Sequence, residues 1–166
     1  CALPIWYLRA TFDDGVPLGS SANKEARIDS LPQSWAVLSG AADADRAGRA
    51  LESAWKHLVR EDEGLVLLFT PPFDRAEPSP GYIKGYPPGV RENGGQYTQA
   101  ALWFAMALAR QGDGTRAASM LRMLNPIEHT RDSEAVWRYG VEPYVIAADV
   151  YRLPGRIGHG GWPWYT

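Results

Sequence analysis

One stretch, Gly81–Ala100 (GYIKGYPPGVRENGGQYTQA), constrains the fold more than any other part of the chain. Five glycines (Gly81, Gly85, Gly89, Gly94 and Gly95) and the pair Pro87-Pro88 fill it, and a long helical pattern starts where it ends. Glycine accepts backbone geometry closed to other residues, and proline stiffens the loop around it. Three tyrosines, Lys84, Arg91 and Glu92 are carried on this stiff loop. A loop that feeds a helix start also presents free backbone N–H groups, which favour anions. The composition therefore predicts a ligand-binding loop; an ordinary tight connection is the alternative and needs far fewer special residues.

Around this loop the apolar spacing is that of helices. Ser30-Leu31-Pro32-Gln33 predicts a helix start, with Ser30 as cap, Gln33 reaching back to it and Gly40 as the stop. Asp43 predicts the next cap, followed by Ala47, Leu51, Ala54 and Leu58 at three- and four-residue spacing, with Gly64 ending the helix. A further helix is expected over 96–111 and another over 115–124, broken by Asn125-Pro126. A last helix or helix pair is expected over 133–151, with Pro143 in a first turn. Residues 3–12 and 65–70 read as short strands. Short connections (Gly40–Asp43, Gly112–Asp113) alternate with long ones, which suits antiparallel helical hairpins with function in the loops at one end.

The 166 residues suffice for one domain with a core, and a net charge of −2 gives no reason to expect nucleic acid. Nothing approaches the roughly twenty apolar residues of a membrane span, so direct membrane insertion of this segment is not expected. Cys1 is the single cysteine, which excludes an internal disulfide and a cysteine-rich metal site. His57, His129 and His159 lie far apart without ligand spacing, and no metal is expected. Asp13-Asp14-Gly15 reads as a turn rather than an acid pair. Seven tryptophans and eight tyrosines suit packing, and equally suit flat polar ligands such as sugars. Arg91 can grip a carboxylate or phosphate and Glu92 can accept from hydroxyls, although an Arg-Glu pair can equally be a structural salt bridge. Lys84, Asn93, Gln99, Trp162, Trp164 and Thr166 complete the polar and aromatic set in the glycine-supported loops.

Five segments resemble, in order, those of glycoside hydrolase family 94, the inverting β-glucoside phosphorylases and the related region of cyclic β-1,2-glucan synthases. They are IDSLPQSWAVLSG (28–40), PGYIKGYPPGVRENGGQYT (80–98), LNPI (124–127), VEPYVIAADVY (141–151) and GGWPWYT (160–166). The resemblance implies an all-α fold, part of an (α/α)6 barrel made of helical hairpins with long loops at one end. Residues 1–166 would be the C-terminal portion of one barrel catalytic domain, truncated at both ends and inactive alone.

The implied reaction is attack of inorganic phosphate on the anomeric carbon of a β-glucoside, with inversion, giving α-glucose 1-phosphate. Phosphate is then a co-substrate, and no cofactor is needed. One carboxylic acid must protonate the leaving oxygen; in the family that aspartate lies upstream of residue 1, so no catalytic residue is expected in this stretch. Carried over residue by residue, Arg91, Glu92, Asn93, Gly94, Gly95, Tyr97 and Trp164 fall in the sugar pocket. Thr166 and position 99 fall at the phosphate. The family's phosphate-binding histidine is here Gln99, which can donate a hydrogen bond but cannot become cationic. Phosphate-independent hydrolysis and a catalytically inactive glucan-binding domain are therefore the alternatives. The partners implied are a β-glucan oligosaccharide, phosphate and the rest of the parent chain, in the cytoplasm, with any tether to the inner membrane in other parts of the parent.

Overall fold

Two hairpins of helices form the body. The computed structural model describes residues 5–164. In it α1 spans Ser30–Leu38 and α2 Ala44–Leu58, joined by a turn at Gly40, and α3 spans Thr98–Arg110 and α4 Gly114–Leu124, joined at Gly112. Asp43 caps α2 by accepting from Arg46 N–H at 2.9 Å, and Asp113 caps α4 by accepting from Arg116 N–H at 3.0 Å. The apolar spacing delivers Leu51, Ala54 and Leu58 of α2, Phe104 and Leu108 of α3, and Met120 and Leu124 of α4 to one core. Ala100, Ala101, Ala105 and Ala107 are also buried. Such small side chains let the neighbouring helices approach α3 closely.

The start of α1 differs from the sequence expectation. Asp29, not Ser30, is the cap: its Oδ1 accepts from Leu31 N–H at 2.8 Å, and Ser30 already lies inside the helix. Gln33 does reach back, but as a donor to Asp29 O at 2.8 Å and to Tyr7 O at 2.9 Å, while its Oε1 accepts from Tyr7 N–H. It ties the segment before α1 to the helix. Asp29 is fully buried and paired with Arg9. Burial pushes its carboxyl above the ordinary range even though Arg9 opposes the shift.

At one end of the body runs a strip of two-residue strands. In chain order they are β1 (Ala10–Thr11), β2 (Pro17–Leu18), β3 (Ile28–Asp29), β4 (Val59–Arg60) and β5 (Leu65–Val66). The later ones are β6 (Phe69–Thr70), β7 (Gln96–Tyr97), β8 (Ile146–Ala147), β9 (Asp149–Val150) and β10 (Pro163–Trp164). All pair antiparallel, as β1–β2, β3–β6, β4–β5, β7–β9 and β8–β10. Single bonds stitch several ladders together. Ser30 N–H donates to Leu68 O, Leu68 N–H to Gly95 O, Thr98 N–H to Ala148 O and Ala148 N–H to Trp162 O. Because β3 runs directly into α1 and β7 into α3, both helices leave this strip in the same sense. Their first turns, and the long loops, share one face of the molecule.

Three further expectations are corrected. Helix α2 ends at Leu58 rather than Gly64, because the β-branched Val59 opens a hairpin in which Gly64 makes the turn at φ 68°. Residues 133–151 are not a helix pair: α5 covers only Ser133–Tyr139 and stops at left-handed Gly140. Beyond Gly140 the chain runs into β8 and β9, so Pro143 begins no helix and Tyr144 is 75% exposed. Of the strand expected over 3–12, only Ala10–Thr11 forms: residues 5–9 are irregular, and residues 3 and 4 lie outside the described part.

Candidate functional site

A tight turn within Gly81–Ala100 sets the geometry. Asn93 N–H donates to Val90 O at 3.0 Å and Gly89 N–H to Asn93 O at 2.8 Å, which leaves Arg91 and Glu92 at the tip. Arg91 sits at φ 50°, a conformation that costs a non-glycine residue on the order of 1 kcal/mol or more. The turn persists because Asn93 over-determines it. Fully buried, its Oδ1 accepts from Phe73 N–H at 2.7 Å and its Nδ2 donates to Phe73 O at 2.9 Å and to Tyr86 O at 2.7 Å.

Four segments bring side chains to this turn. The Arg91 guanidinium lies 4.5 Å from the Trp162 ring centroid and 5.5 Å from that of Tyr86, whose hydroxyl accepts from Arg91 Nη1 at 3.5 Å. Tyr82 stands edge-on to Tyr86 at 6.4 Å. Tyr82 and Trp162 are 71% and 62% exposed, so flat faces remain open beside the cation. Asp149 is buried, and its Oδ1 accepts from Trp162 N–H at 2.9 Å. Burial holds its carboxyl above the ordinary range; Glu92 adds to the rise, while the Trp162 bond and the Arg91 charge oppose it. Tyr97 joins the same field: burial raises its phenol, and the Glu92, Tyr82 and Asp149 charges raise it further against Arg91. Glu92 Oε2 and Asp149 Oδ2 are each enclosed without a hydrogen-bond partner among the described residues.

Exposed aromatic faces beside a cation and Glu92, with the buried Asp149 carboxylate behind them, suit a polyhydroxylated ring, which stacks on the aromatics and hydrogen-bonds to the Arg91 and Glu92 side chains. The start of α3 lies alongside. Tyr97 gives it no side-chain cap, so among the described residues its first-turn N–H groups have no capping partner, apart from Thr98 N–H, which donates to Ala148 O.

Of the residues named from sequence, Arg91, Glu92 and Tyr97 converge here. Asn93 does not face the cluster; its amide is spent on backbone beneath it. Gly94 and Gly95 serve packing rather than ligand approach. A Cβ at Gly94 would lie 2.8 Å from Pro72 Cβ and one at Gly95 2.8 Å from Gly89 O. Gln99 is half-buried on the first turn of α3, with no side-chain hydrogen bond to other described residues. Trp164 is described by its backbone alone, in β10, and Thr166 lies outside the described residues. Lys84 is used elsewhere, donating to Ala76 O at 2.9 Å. Asp149 was missed because 133–151 reads as helix. The signal was there in Val145–Val150, an aliphatic, β-branched run that favours a strand and carries one acid.

The histidines take structural roles. His57 packs edge-on to Trp6, His129 stacks on Tyr139 and His159 packs against Tyr151. Among the described residues no cluster of three or more His, Cys, Asp or Glu could hold a metal. Two open clefts lie elsewhere. One of about 420 Å³ spans the β4–β5 turn and Glu128–Tyr139, and one of about 530 Å³ lies between Phe12–Glu25 and Phe73–Pro78. Neither shares a residue with the cluster, and neither assembles open aromatic faces with unpartnered carboxylates. We place the site at Arg91. Among the described residues no helix is long and apolar enough to cross a membrane.

Comparison with known proteins gives the family. The family model described as "Glycosyl hydrolase 94 superfamily, catalytic domain" matches residues 5–166. The chain is 50% identical over 161 residues to the cyclic beta-(1,2)-glucan synthase NdvB of Rhizobium meliloti, covering 97% of this chain and 6% of that protein. It is 31% identical over 163 residues to solabiose phosphorylase of Paenibacillus borealis, again covering 97% of this chain and 20% of the relative. With N,N'-diacetylchitobiose phosphorylase of Vibrio furnissii the identity is 30% over 166 residues, and the chain covers 20% of that protein. The chain thus spans a fifth or less of each of these relatives.

Proposed function

Because the chain belongs to the glycosyl hydrolase 94 superfamily and matches its catalytic domain, we propose that it forms one wall of the active site of a β-glucan-processing phosphorylase. The reaction proposed is phosphorolysis or chain-length processing of β-1,2-glucan, with inversion, releasing α-glucose 1-phosphate. The observation that carries this reading is the Arg91 turn, which sets a cation between the Trp162 and Tyr86 rings, with Glu92 as acceptor and Asp149 behind them, next to the uncapped start of α3. The 50% identity to a cyclic β-1,2-glucan synthase supports the linkage. The hairpins α1–α2 and α3–α4 would be two pairs of an (α/α)6 barrel whose remaining helices, and general acid, come from the rest of a longer parent chain in the cytoplasm. Any attachment to the inner membrane would lie in other parts of that parent.

In this reading sugar stacks on Trp162 and Tyr82 and hydrogen-bonds to Arg91 and Glu92. Phosphate lies at the first turn of α3 beside Gln99; the family resemblance assigns Thr166 to phosphate as well, and Trp164 to the sugar. Phosphate is a weak nucleophile, so the wall's work is to hold it in line and neutralise charge with fixed donors. Gln99 offers one neutral donor where a histidine could offer a cation.

The test is made on the full-length protein. β-1,2-Glucan with phosphate should release α-glucose 1-phosphate, and Gln99→His should lower the phosphate KM, by roughly tenfold for one charge-assisted bond gained. Glucose release that ignores phosphate would replace phosphorolysis by hydrolysis as the reaction. Binding of glucan without turnover would favour an inactive glucan-binding domain.

A further inference from the structure

Asp149 is an expensive residue for what its hydrogen bonds accomplish. Only 2% exposed, it accepts from Trp162 N–H through Oδ1 and has the Arg91 backbone N–H close by, while Oδ2 is enclosed without a hydrogen-bond partner among the described residues. A buried carboxylate oxygen without a partner costs far more than one hydrogen bond to a backbone N–H returns. The neighbouring chain is shaped around it. At Gly161 a Cβ would sit 2.6 Å from Asp149 Cγ, so a side chain there would push the carboxylate from its place. A neutral amide could accept from Trp162 equally well. What an amide would lack is the charge, and the group of opposite sign in its field is Arg91, with Glu92 opposing it.

We infer that Asp149 is a positioning residue. It fixes the backbone of Trp162 through one oxygen and draws the Arg91 guanidinium onto the Trp162 ring through its charge, so that cation and aromatic face meet the sugar in one fixed arrangement. β9 places it for this task. It pairs with β7, which sets Asp149 opposite Tyr97 at the entrance to α3, and Gly161 N–H donates to Asp149 O at 2.8 Å. One residue thereby links the turn, the helix start and the aromatic platform. The cation–π contact is too weak to hold a flexible, half-buried arginine in one orientation by itself. A fixed negative charge on the inner side supplies the direction.

This inference rests on the sugar-wall reading for its kinetic consequence but not for its geometry, and the test separates the two. In the full-length protein, Asp149→Asn keeps the acceptor for Trp162 N–H and removes the charge. Its structure should show Arg91 withdrawn from the 4.5 Å seat over Trp162. The glucan KM should rise on the order of tenfold with kcat little changed, as when uniform binding is lost. Arg91→Met should raise KM to a similar extent, and the double variant should be no worse than either single one. Arg91 remaining over Trp162 in Asp149→Asn would overturn the inference, whatever the wild-type activity. Additive effects of the two substitutions on KM would overturn it too. If the wild-type protein turns over no β-glucan while Arg91 still leaves Trp162 in the variant, the functional reading fails and the positioning role stands.

Discussion

In the helical body, α2, α3 and α4 meet through Ala54, Phe104, Leu108 and Met120, none more than 2% exposed and none with a side-chain nitrogen or oxygen. On the loop face, Gln33, Asn93, Gln96, Thr98 and Asp149 are just as buried, and every one is polar. Gln96 accepts from Val66 N–H at 3.0 Å and donates to Thr98 Oγ1 at 3.3 Å, and Thr98 in turn donates to Ala147 O at 2.7 Å. Apolar packing is non-directional and scales with the volume removed, whereas a buried amide must satisfy particular backbone groups at fixed angles. The body can absorb a change of shape that keeps volume. The loop face cannot absorb a change of atom type, and this is what lets it hold Arg91 at a positive φ.

The largest effect expected is in the body. Phe104→Ala should cost about 3–5 kcal/mol by chemical denaturation, since the ring is fully buried in the main core. Phe104→Leu, which keeps most of the volume, should cost no more than about 1.5 kcal/mol. Equal costs would mean that the body is as shape-specific as the loop face, and the contrast would collapse.

Next comes the clasp under the site. Asn93→Ala strands Phe73 N–H, Phe73 O and Tyr86 O, and should cost roughly 2–4 kcal/mol at about 1–3 kcal/mol per orphaned group after partial relaxation. Asn93→Asp is the sharper variant. Nearly the same size, it still accepts from Phe73 N–H but donates nothing and buries a charge, so it should be as damaging as alanine. A mild Asn93→Asp alongside a severe Asn93→Ala would show that volume, not hydrogen bonding, fixes the turn.

The same division explains what the sequence reveals. Hairpins α1–α2 and α3–α4 are legible because caps and apolar spacing are local: Asp43, Asp113, Gly40 and Gly112 each act within a few residues. Arg91, Glu92 and Tyr97 are legible as neighbours because they stand in one loop, too rich in special residues for a plain connection. The strip is not legible. Its bonds join Leu68 to Gly95 and Thr98 to Ala148, and a two-residue strand has no periodicity of its own. Asp149 escapes for this reason, since its role depends on Trp162 and Arg91, which only the folded chain brings to it. That the Asn93 amide clasps the Phe73 and Tyr86 backbone is not legible either, because an amide that faces ligand and one that clasps backbone read alike.

The smallest prediction concerns the seam between the two regions. His129, after α4, stacks on Tyr139 with centroids 4.6 Å apart and planes at 14°. Tyr139 Oη in turn donates to Val145 O at 3.1 Å and accepts from Ala147 N–H at 2.8 Å, so the pair joins the end of the body to β8. Burial depresses the His129 imidazole below its ordinary value; a backbone bond to Met123 and the Glu128 charge oppose the shift without reversing it. A histidine held neutral in the folded state takes up its proton more readily when unfolded. Its contribution is therefore present above the ordinary value near 6.5, and is lost as pH falls through that value toward the depressed one. His129→Phe keeps an aromatic ring for the stack and has no proton to gain. Between pH 7 and pH 5 the wild-type melting temperature should fall relative to that of His129→Phe, and at pH 7 the two should differ little. Parallel curves across this range would mean that the seam is held by ring packing alone, with the protonation of His129 irrelevant to how body and loop face stay joined.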